Sequence, residues 1–141
     1  MRVLLTQVGA RYCAVPIEHV VEILRPLPVE PLSHALPFVL GAAVIRGAAT
    51  PVLDAGGLMG GALHSPGRFV ALKIGARAAA LAVDAVIGVR VLSESALEQL
   101  PPLLDSAQLA SIGVLDSNLL VVLRCARLVP DELWAALEKV A

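Results

Sequence analysis

Short apolar runs broken by glycine and proline recur along the whole chain. The runs are rich in Val, Leu, Ile and Ala, and Gly or Pro separates them at short intervals. This pattern is typical of many short strands joined by tight turns. It predicts three hairpins and one further strand, at 2–8 with 12–15, 42–45 with 50–53, 69–74 with 77–83, and 119–124.

Alternation within the strand at 69–74 separates its two predicted faces. Val70, Leu72 and Ile74 fall on one face, and Phe69, Ala71 and Lys73 fall on the other. The first face is wholly apolar, so we expect it to face a core.

Two segments have helical rather than alternating spacing. Residues 16–24 begin with proline and place Ile17, Val20, Val21 and Leu24 at i, i+3, i+4 and i+7, which indicates a helix. The segment is short, so it is either such a helix or one or two turns leading into a strand at Glu22. The second helix is predicted at about 130–140, because acids follow its first proline and a lysine ends it. Leu133, Leu137 and Val140 are predicted to form the apolar face with which this helix packs against the rest of the domain.

The two halves of the chain follow a similar order of elements. Each has a tight hairpin, a longer excursion and a closing strand, although residue identity is too weak to prove a repeat. No low-complexity linker separates them. We expect a mainly β fold in which residues 1–141 form a single domain of two small barrels or sheets packed as one unit, with a terminal helix.

The composition bears on how the chain meets its surroundings. Hydrophobic residues make up 57% of the chain and charged residues 16%, so little polar surface is available to cover it. Either apolar patches remain exposed and mark partner surfaces, or the excess of alanine leaves small apolar residues scattered on the surface. The sequence leaves both alternatives open.

Charge and targeting signals exclude several classes of protein. The net charge is −1, no basic cluster occurs and aromatic residues are only 3%, which argues against nucleic-acid binding. The N-terminus lacks the pattern of a signal peptide. The apolar stretch at 35–45 is too short to span a bilayer. We expect a soluble, cytoplasmic protein with no direct membrane insertion.

None of the common catalytic or metal-binding constellations can be assembled from the sequence. His19, His34 and His64 are far apart and lack metal-ligand spacing. The glycine-rich stretch at 56–61 lacks the lysine and Ser/Thr of a phosphate-binding loop, so we expect a turn or a short helix there. The sequence therefore predicts a protein that is not an enzyme and that binds no cofactor.

Two acids and two cysteines receive structural interpretations. Asp54 and Asp84 each end an apolar run, where a carboxylate usually caps a turn, with an acid–base role as the alternative. Cys13 and Cys125 lie far apart in apolar stretches. We expect both to be buried, reduced thiols rather than catalytic residues.

An ordered set of segments resembles the CheW-like domain, the adaptor module of bacterial chemosensory systems. The segments are YCAVPI (12–17), VVEI (20–23), LPFVLG (36–41), IRG (45–47), PVLD (51–54), LAVD (81–84) and IGV (112–114). Single segments are weak signals, but their order and spacing cover nearly the whole chain.

The resemblance implies a fold of two five-stranded SH3-like β-barrels around a shared core, with short helices. It also implies a non-catalytic adaptor that couples the cytoplasmic tips of chemoreceptors to the regulatory domain of the histidine kinase CheA, in arrays beneath the inner membrane. The alternative is a domain of the same fold that serves a pilus-motility or other chemosensory pathway. Such a domain binds a different regulator and does not bridge kinase and receptor. An unrelated alternative is a small-ligand-binding β-barrel, which requires a deep enclosed pocket.

The resemblance also implies which residues bind partners. The family's functional arginine falls on Arg46, its acid on Glu22, the associated apolar residue on Val20 and a glycine on Gly41. A guanidinium held by Glu22 keeps donors for a partner, or the pair only ties a turn to a strand. The remaining candidates are apolar. Ile45, Val86 and Val114 either line a groove between the barrels or are buried in the core, and Leu103 and Leu104 lie in a proline-rich loop.

Overall fold

The computed structural model describes residues 1–32, 36–61, 66–97 and 108–138. Ten strands and two α-helices form in these ranges. The strands are β1 (Arg2–Val8), β2 (Arg11–Pro16), β3 (Val20–Leu24), β4 (Val39–Ile45), β5 (Ala48–Asp54), β6 (Arg68–Ile74), β7 (Arg77–Val83), β8 (Ala85–Val91), β9 (Leu109–Leu115) and β10 (Asn118–Leu123); the helices are α1 (Ala55–Leu58) and α2 (Asp131–Glu138). Single 3₁₀ turns lie at Ile17–His19, Glu94–Ala96 and Cys125–Arg127.

The strands form two five-stranded sheets with the same pairing pattern. Sheet A has the order β8-β1-β2-β10-β9, and sheet B has the order β3-β6-β7-β5-β4. In each sheet the third pair is parallel, β2 with β10 and β7 with β5, while the other pairs are antiparallel. The predicted mainly β fold with two five-stranded units is confirmed. Neither sheet closes into a full barrel, since no ladder joins the two outer strands of either sheet within the described ranges.

Strand register shows that the two sheets are equivalent residue by residue. A Gly-Ala turn at Gly9 joins β1 to β2, and a second one at Gly75 joins β6 to β7. Thr6 and Leu72 each precede their turn glycine by three positions, so they are equivalent residues of the two sheets. Val86 pairs with Thr6 and Val20 pairs with Leu72, and a bulge follows in both ladders. The outer strands β8 and β3 therefore match, which makes Val86 the counterpart of Val20.

The chain enters the two sheets in different orders. Sheet B uses five consecutive strands, β3 to β7, whereas sheet A takes β8, β9 and β10 and is completed by the N-terminal hairpin β1–β2. One unit is thus a circular permutation of the other. This explains why the similar order of elements in the two halves is visible in the sequence but does not align as a simple repeat.

Central strands are buried on both faces, which gives the core three layers. Along β7, Ala79, Leu81 and Val83 face a core shared by the two sheets, while Ala80 and Ala82 face a cluster of sheet B alone. The same alternation occurs in sheet A, where β10 gives Val121 and Leu123 to the shared core and Leu120 and Val122 to the sheet's own cluster. Strands buried on both faces need apolar residues at every position, which explains much of the 57% hydrophobic content.

The helix predicted at 16–24 is not formed. Only Ile17–His19 makes a 3₁₀ turn, and β3 begins at Val20 rather than at Glu22. In β3 the half-buried positions Val20, Glu22 and Leu24 alternate with the exposed Val21 and Ile23. Pairing with β6 therefore imposes a period of two on residues whose spacing also fits a helix.

The three predicted hairpins are present, but β8 and β9 were not among the predicted strands. Gly88 interrupts the apolar pattern of β8 beside its bulge, and Ser111 and Gly113 interrupt that of β9. Both are outer strands of sheet A. An outer strand lacks a partner on one side, so its sequence is less constrained to be continuously apolar.

Asp54 caps the turn that follows it, as predicted, whereas Asp84 caps a turn elsewhere in the chain. Asp54 Oδ1 accepts a hydrogen bond from the backbone N–H of Gly56 (3.0 Å) and so caps α1, the short helix in the glycine-rich stretch. Asp84 Oδ2 accepts from the backbone N–H of Gly9 (2.6 Å). Asp84 therefore caps a turn that is distant in sequence and ties the β1–β2 hairpin to the segment between the sheets.

Helix α2 packs against sheet B although it follows a strand of sheet A. Trp134 is buried in the shared core and Leu133 packs at its margin. Leu137 is also buried. The Arg77 guanidinium stacks over the Trp134 ring at 5.1 Å and lies 3.1 Å from Glu138. Leu133 and Leu137, which were predicted to pack, do so, and Trp134 packs beside them although it was not predicted. Val140 lies outside the described residues. No helix in the described ranges is long and apolar enough to cross a membrane.

We predict that Leu81→Ala lowers the free energy of unfolding by about 2–5 kcal/mol, because it opens a cavity in the shared core. Leu81 is completely buried there. Urea denaturation of the variant and wild type measures the difference. Val44→Ala is the control, since its side chain is 72% exposed and truncation should change stability by less than about 0.5 kcal/mol. Equal losses in the two variants would contradict the shared core.

Candidate functional site

An ion pair between Arg46 and Glu22 joins the two outer strands of sheet B. Arg46 lies in the turn after β4, and Glu22 is in the middle of β3. Arg46 Nη2 is 2.5 Å from Glu22 Oε2. The side chains connect β3 and β4, which are at opposite ends of the strand order and share no backbone ladder in the part of the chain that the structure describes. The pair predicted from the resemblance is therefore formed.

The backbone at Arg46 is in a conformation that arginine rarely adopts. Arg46 has φ 52° and Gly47 has φ 79°, as in the tight hairpin turns that favour Asn-Gly. The equivalent turn of sheet A carries Asp116 and Ser117, also at positive φ. A left-handed residue other than glycine costs about 1–2 kcal/mol, so the turn itself does not explain an arginine here.

Exposure limits what the ion pair contributes to stability. The Arg46 side chain is 67% exposed and that of Glu22 is 31% exposed. A pair this open to solvent contributes about 0–1 kcal/mol. The ion pair does tie a turn to a strand, but its small contribution to stability does not explain why position 46 is an arginine. The conformation of the turn does not explain it either. Only Nη2 is bonded to Glu22, which leaves other N–H donors of the planar group directed to solvent.

A cleft of about 390 Å³ lies behind the ion pair, and we call it the edge cleft. Its lining includes Val21 and Glu22 of β3, Ile45 of β4 and Arg46 of the turn that follows β4. Lys73 and Arg77 contribute further charges, and most of the remaining lining consists of small residues, namely Ala48, Thr50, Ala71, Ala76, Ala78 and Ala79. The small side chains leave room for groups of another molecule.

Gly41 has a structural explanation in the fold. It is buried, and its φ is +145°. A Cβ atom at this position would lie 2.0 Å from the carbonyl oxygen of Glu30, whose backbone pairs with Ala42. The glycine therefore lets the segment around Glu30 cross β4, and a contact with a partner remains a prediction.

The predicted apolar groove residues lie on different parts of the fold. Ile45 is half-buried and packs against the cluster of sheet B. Val20 and Val86 are half-buried and pack against the shared core. Val114 is 75% exposed on β9. A groove lined jointly by these side chains remains a prediction, and Leu103 and Leu104 lie outside the described residues.

Several exposed apolar residues were not recognised in the sequence as a related set. Val21 and Ile23 are exposed on β3, and their counterparts Ile87 and Val89 are exposed on β8. Val44 is likewise exposed at the position equivalent to Val114. Alternation along residues 20–24 could have indicated the first pair, but the equivalence depends on strand register.

Cysteine, histidine and metal chemistry find no support in the described part of the chain. Cys13 and Cys125 are free and buried, and burial raises the pKa of each thiol to about 12. His19 Nδ1 lies 3.2 Å from the backbone oxygen of Lys73, while His34 and His64 fall outside the described ranges. No group of His, Cys, Asp or Glu within those ranges is arranged to hold a metal ion.

Comparison with known families identifies the fold. The profile of the CheW-like domain matches residues 2–133. The chain belongs to the CheW-like domain family. Members of this family are non-catalytic scaffolds, and membership supports a chemosensory adaptor or scaffold role.

A solved structure confirms the architecture independently of the profile. The scaffolding protein TtCheW from Thermoanaerobacter tengcongensis is similar to this chain with a TM-score of 0.72 and 22% sequence identity. The similarity covers 87% of this chain and 88% of TtCheW. At this level of identity it shows a shared CheW fold. No curated protein sequence gives a significant match.

We predict that a thiol-reactive dye labels neither cysteine of the native protein at pH 8, because both thiols are buried and protonated. Both should react after denaturation, which is the control. Because the folded-state pKa is raised from 9.0 to about 12, the thiols' contribution to stability is complete below pH 9 and is lost between pH 9 and about 12. Rapid labelling of the native protein would contradict the burial.

We predict that Gly41→Ala destabilises the protein more than Gly47→Ala does. Both glycines have positive φ, but a Cβ at Gly47 meets nothing within 4 Å, whereas one at Gly41 collides with Glu30. Strain at such a site costs about 1–3 kcal/mol. Thermal unfolding measures the difference, and amide hydrogen exchange at Glu30 and Ala42 reports their hydrogen bonds (2.8 and 2.9 Å). Equal destabilisation with unchanged exchange would refute the close approach.

Proposed function

We propose that this protein is a cytoplasmic chemosensory adaptor that couples chemoreceptors to a CheA-type histidine kinase. Family membership supports the scaffold role, and the solved protein of the same fold is described as a scaffolding protein. The proposal adds the two partners, namely the kinase regulatory domain and the cytoplasmic tip of the receptors.

The exposed Arg46 guanidinium is the observation that carries the proposal. Glu22 pairs with it, both residues line the edge cleft, and the left-handed turn holds the Arg46 backbone in an unfavourable conformation. Unfavourable backbone conformations concentrate at functional sites. Arginine is also among the residues that most often dominate the binding energy of an interface. A role in docking accounts for an arginine that neither the turn nor stability explains.

The duplicated architecture supports an adaptor that holds two partners. Each sheet presents an outer strand with exposed apolar side chains, Val21 and Ile23 on β3 and Ile87 and Val89 on β8. These strands belong to different sheets, so they offer two separate surfaces. An adaptor needs two such surfaces because it must hold one partner while it binds the other.

We predict that Arg46→Ala weakens binding of the receptor-tip fragment, the CheA regulatory domain or both by about tenfold or more, because the fixed guanidinium is lost. Unfolding free energy should change by less than about 1 kcal/mol, since the pair is exposed. Isothermal titration calorimetry with each purified fragment measures the affinities. Arg68→Ala is the matched control, because Arg68 is exposed on β6 and donates only to the adjacent Gly67 carbonyl.

The same titrations separate the proposal from its alternative. Reduced stability of Arg46→Ala with unchanged binding would contradict a docking role for Arg46. Wild-type protein that binds neither fragment would refute bridging and favour a domain of the same fold that serves a different regulator.

A further inference from the structure

The charges around the edge cleft do not balance. Its lining contains three cations, Arg46, Lys73 and Arg77, and one acid, Glu22. Arg46 is paired with Glu22, and Arg77 is paired with Glu138 of helix α2. Lys73 makes no ion pair with any residue that the structure describes. In a chain whose net charge is −1, the excess positive charge of this cleft therefore lies on one lysine.

Arg77 is not equivalent to Lys73 as a docking group. Its guanidinium is held by the Trp134 ring at 5.1 Å and by the Glu138 carboxylate at 3.1 Å. It also lines a second cleft of about 500 Å³ beside α2. These contacts compensate its charge and direct it towards the helix, which leaves Lys73 as the cation of this lining that has no ion pair among the described residues.

Lys73 also departs from the pattern of its own strand. The four residues before it in β6, Phe69 to Leu72, are all buried, whereas Lys73 is exposed. Lys73 pairs with Ala78 on the adjacent strand β7, and Ala76 in the β6–β7 turn also lines the cleft. Both side chains are too short to cover the lysine. Lys73 therefore borders an open volume whose lining consists mostly of small residues.

We propose that the edge cleft accepts a glutamate or aspartate side chain from an acidic segment of the docking partner, with Lys73 as its counter-ion. The free N–H donors of Arg46 provide additional hydrogen bonds to that segment, and the alanine walls accommodate its aliphatic carbons. The inference rests on the proposed function, since the partner is the one that docks at Arg46. It adds the chemistry that this partner must present and assigns Lys73 as a specificity residue.

Charge reversal at Lys73 tests this inference. We expect Lys73→Glu to weaken binding of one of the two partner fragments by about tenfold or more, and Lys73→Gln to weaken it less. The wild-type affinity should fall with added salt, and that dependence should be reduced in Lys73→Gln. Arg68→Glu is the matched control, because it introduces the same charge at the other end of β6. Wild-type-like binding by Lys73→Glu, beside weakened binding by Arg46→Ala, would overturn the inference and leave the adaptor proposal intact.

A probe that needs no natural partner separates the two proposals. The probe is an alanine-rich helical peptide of about 16 residues that carries glutamates, compared with its glutamine counterpart. We expect only the glutamate peptide to shift the backbone amide NMR signals of residues 71–79, and Lys73→Glu to abolish the shifts. Such shifts would support the acid-binding cleft even if neither partner fragment bound. Equal shifts with both peptides, or none with either, would overturn it.

Discussion

Burial of the central strands on both faces is the constraint on which the rest of this structure depends. Each sheet covers its own small cluster on one side and contributes to the shared core on the other. Strands such as β7 and β10 therefore have almost no place for a polar side chain. Charged groups are displaced to the turns, the outer strands and the ends of the sheets. The ion pair of Arg46 and Glu22 lies where such displaced groups meet, which places the candidate site on the surface without weakening the core.

The equivalence of the sheets makes their few differences informative. Exposed apolar residues are preserved between them, as Val44 and Val114 illustrate. The charges are not preserved. By register, the residue of sheet A equivalent to Glu22 is Gly88, and the residue equivalent to Arg46 is Asp116. A duplicated scaffold with similar apolar surfaces cannot distinguish its partners by those surfaces alone. The ion pair marks one sheet as different from the other, and specificity by charge requires such a difference.

Local signals in the sequence were sufficient for some elements and not for others. Glycine-marked turns located the hairpins, because a two-residue connection depends on its own residues. The segment at 16–24 was left open between a helix and a turn leading into a strand, because its apolar spacing fits both until β6 fixes the period. The second alternative is the one that forms, with the strand beginning two residues earlier than expected. The strands β8 and β9 were missed where Gly88, Ser111 and Gly113 break the apolar pattern. The pairing of Arg46 with Glu22 was expected from family resemblance alone, since only the fold brings residues 24 positions apart together. Lys73 carried no signal, because its importance depends on which neighbouring charges are already paired.

The permuted order of sheet A has a consequence for biosynthesis. Sheet B can assemble once β7 has left the ribosome, because its strands are consecutive. The hairpin β1–β2 precedes the other strands in the chain, and its parallel neighbour β10 follows about 100 residues later, which corresponds to roughly 5–20 s of translation. During that interval Cys13, Ala14 and Val15 lack the cover that they have in the finished core. Sheet A, unlike sheet B, is therefore complete only when strands from both ends of the element order have met, and these apolar residues wait for β10 to cover them.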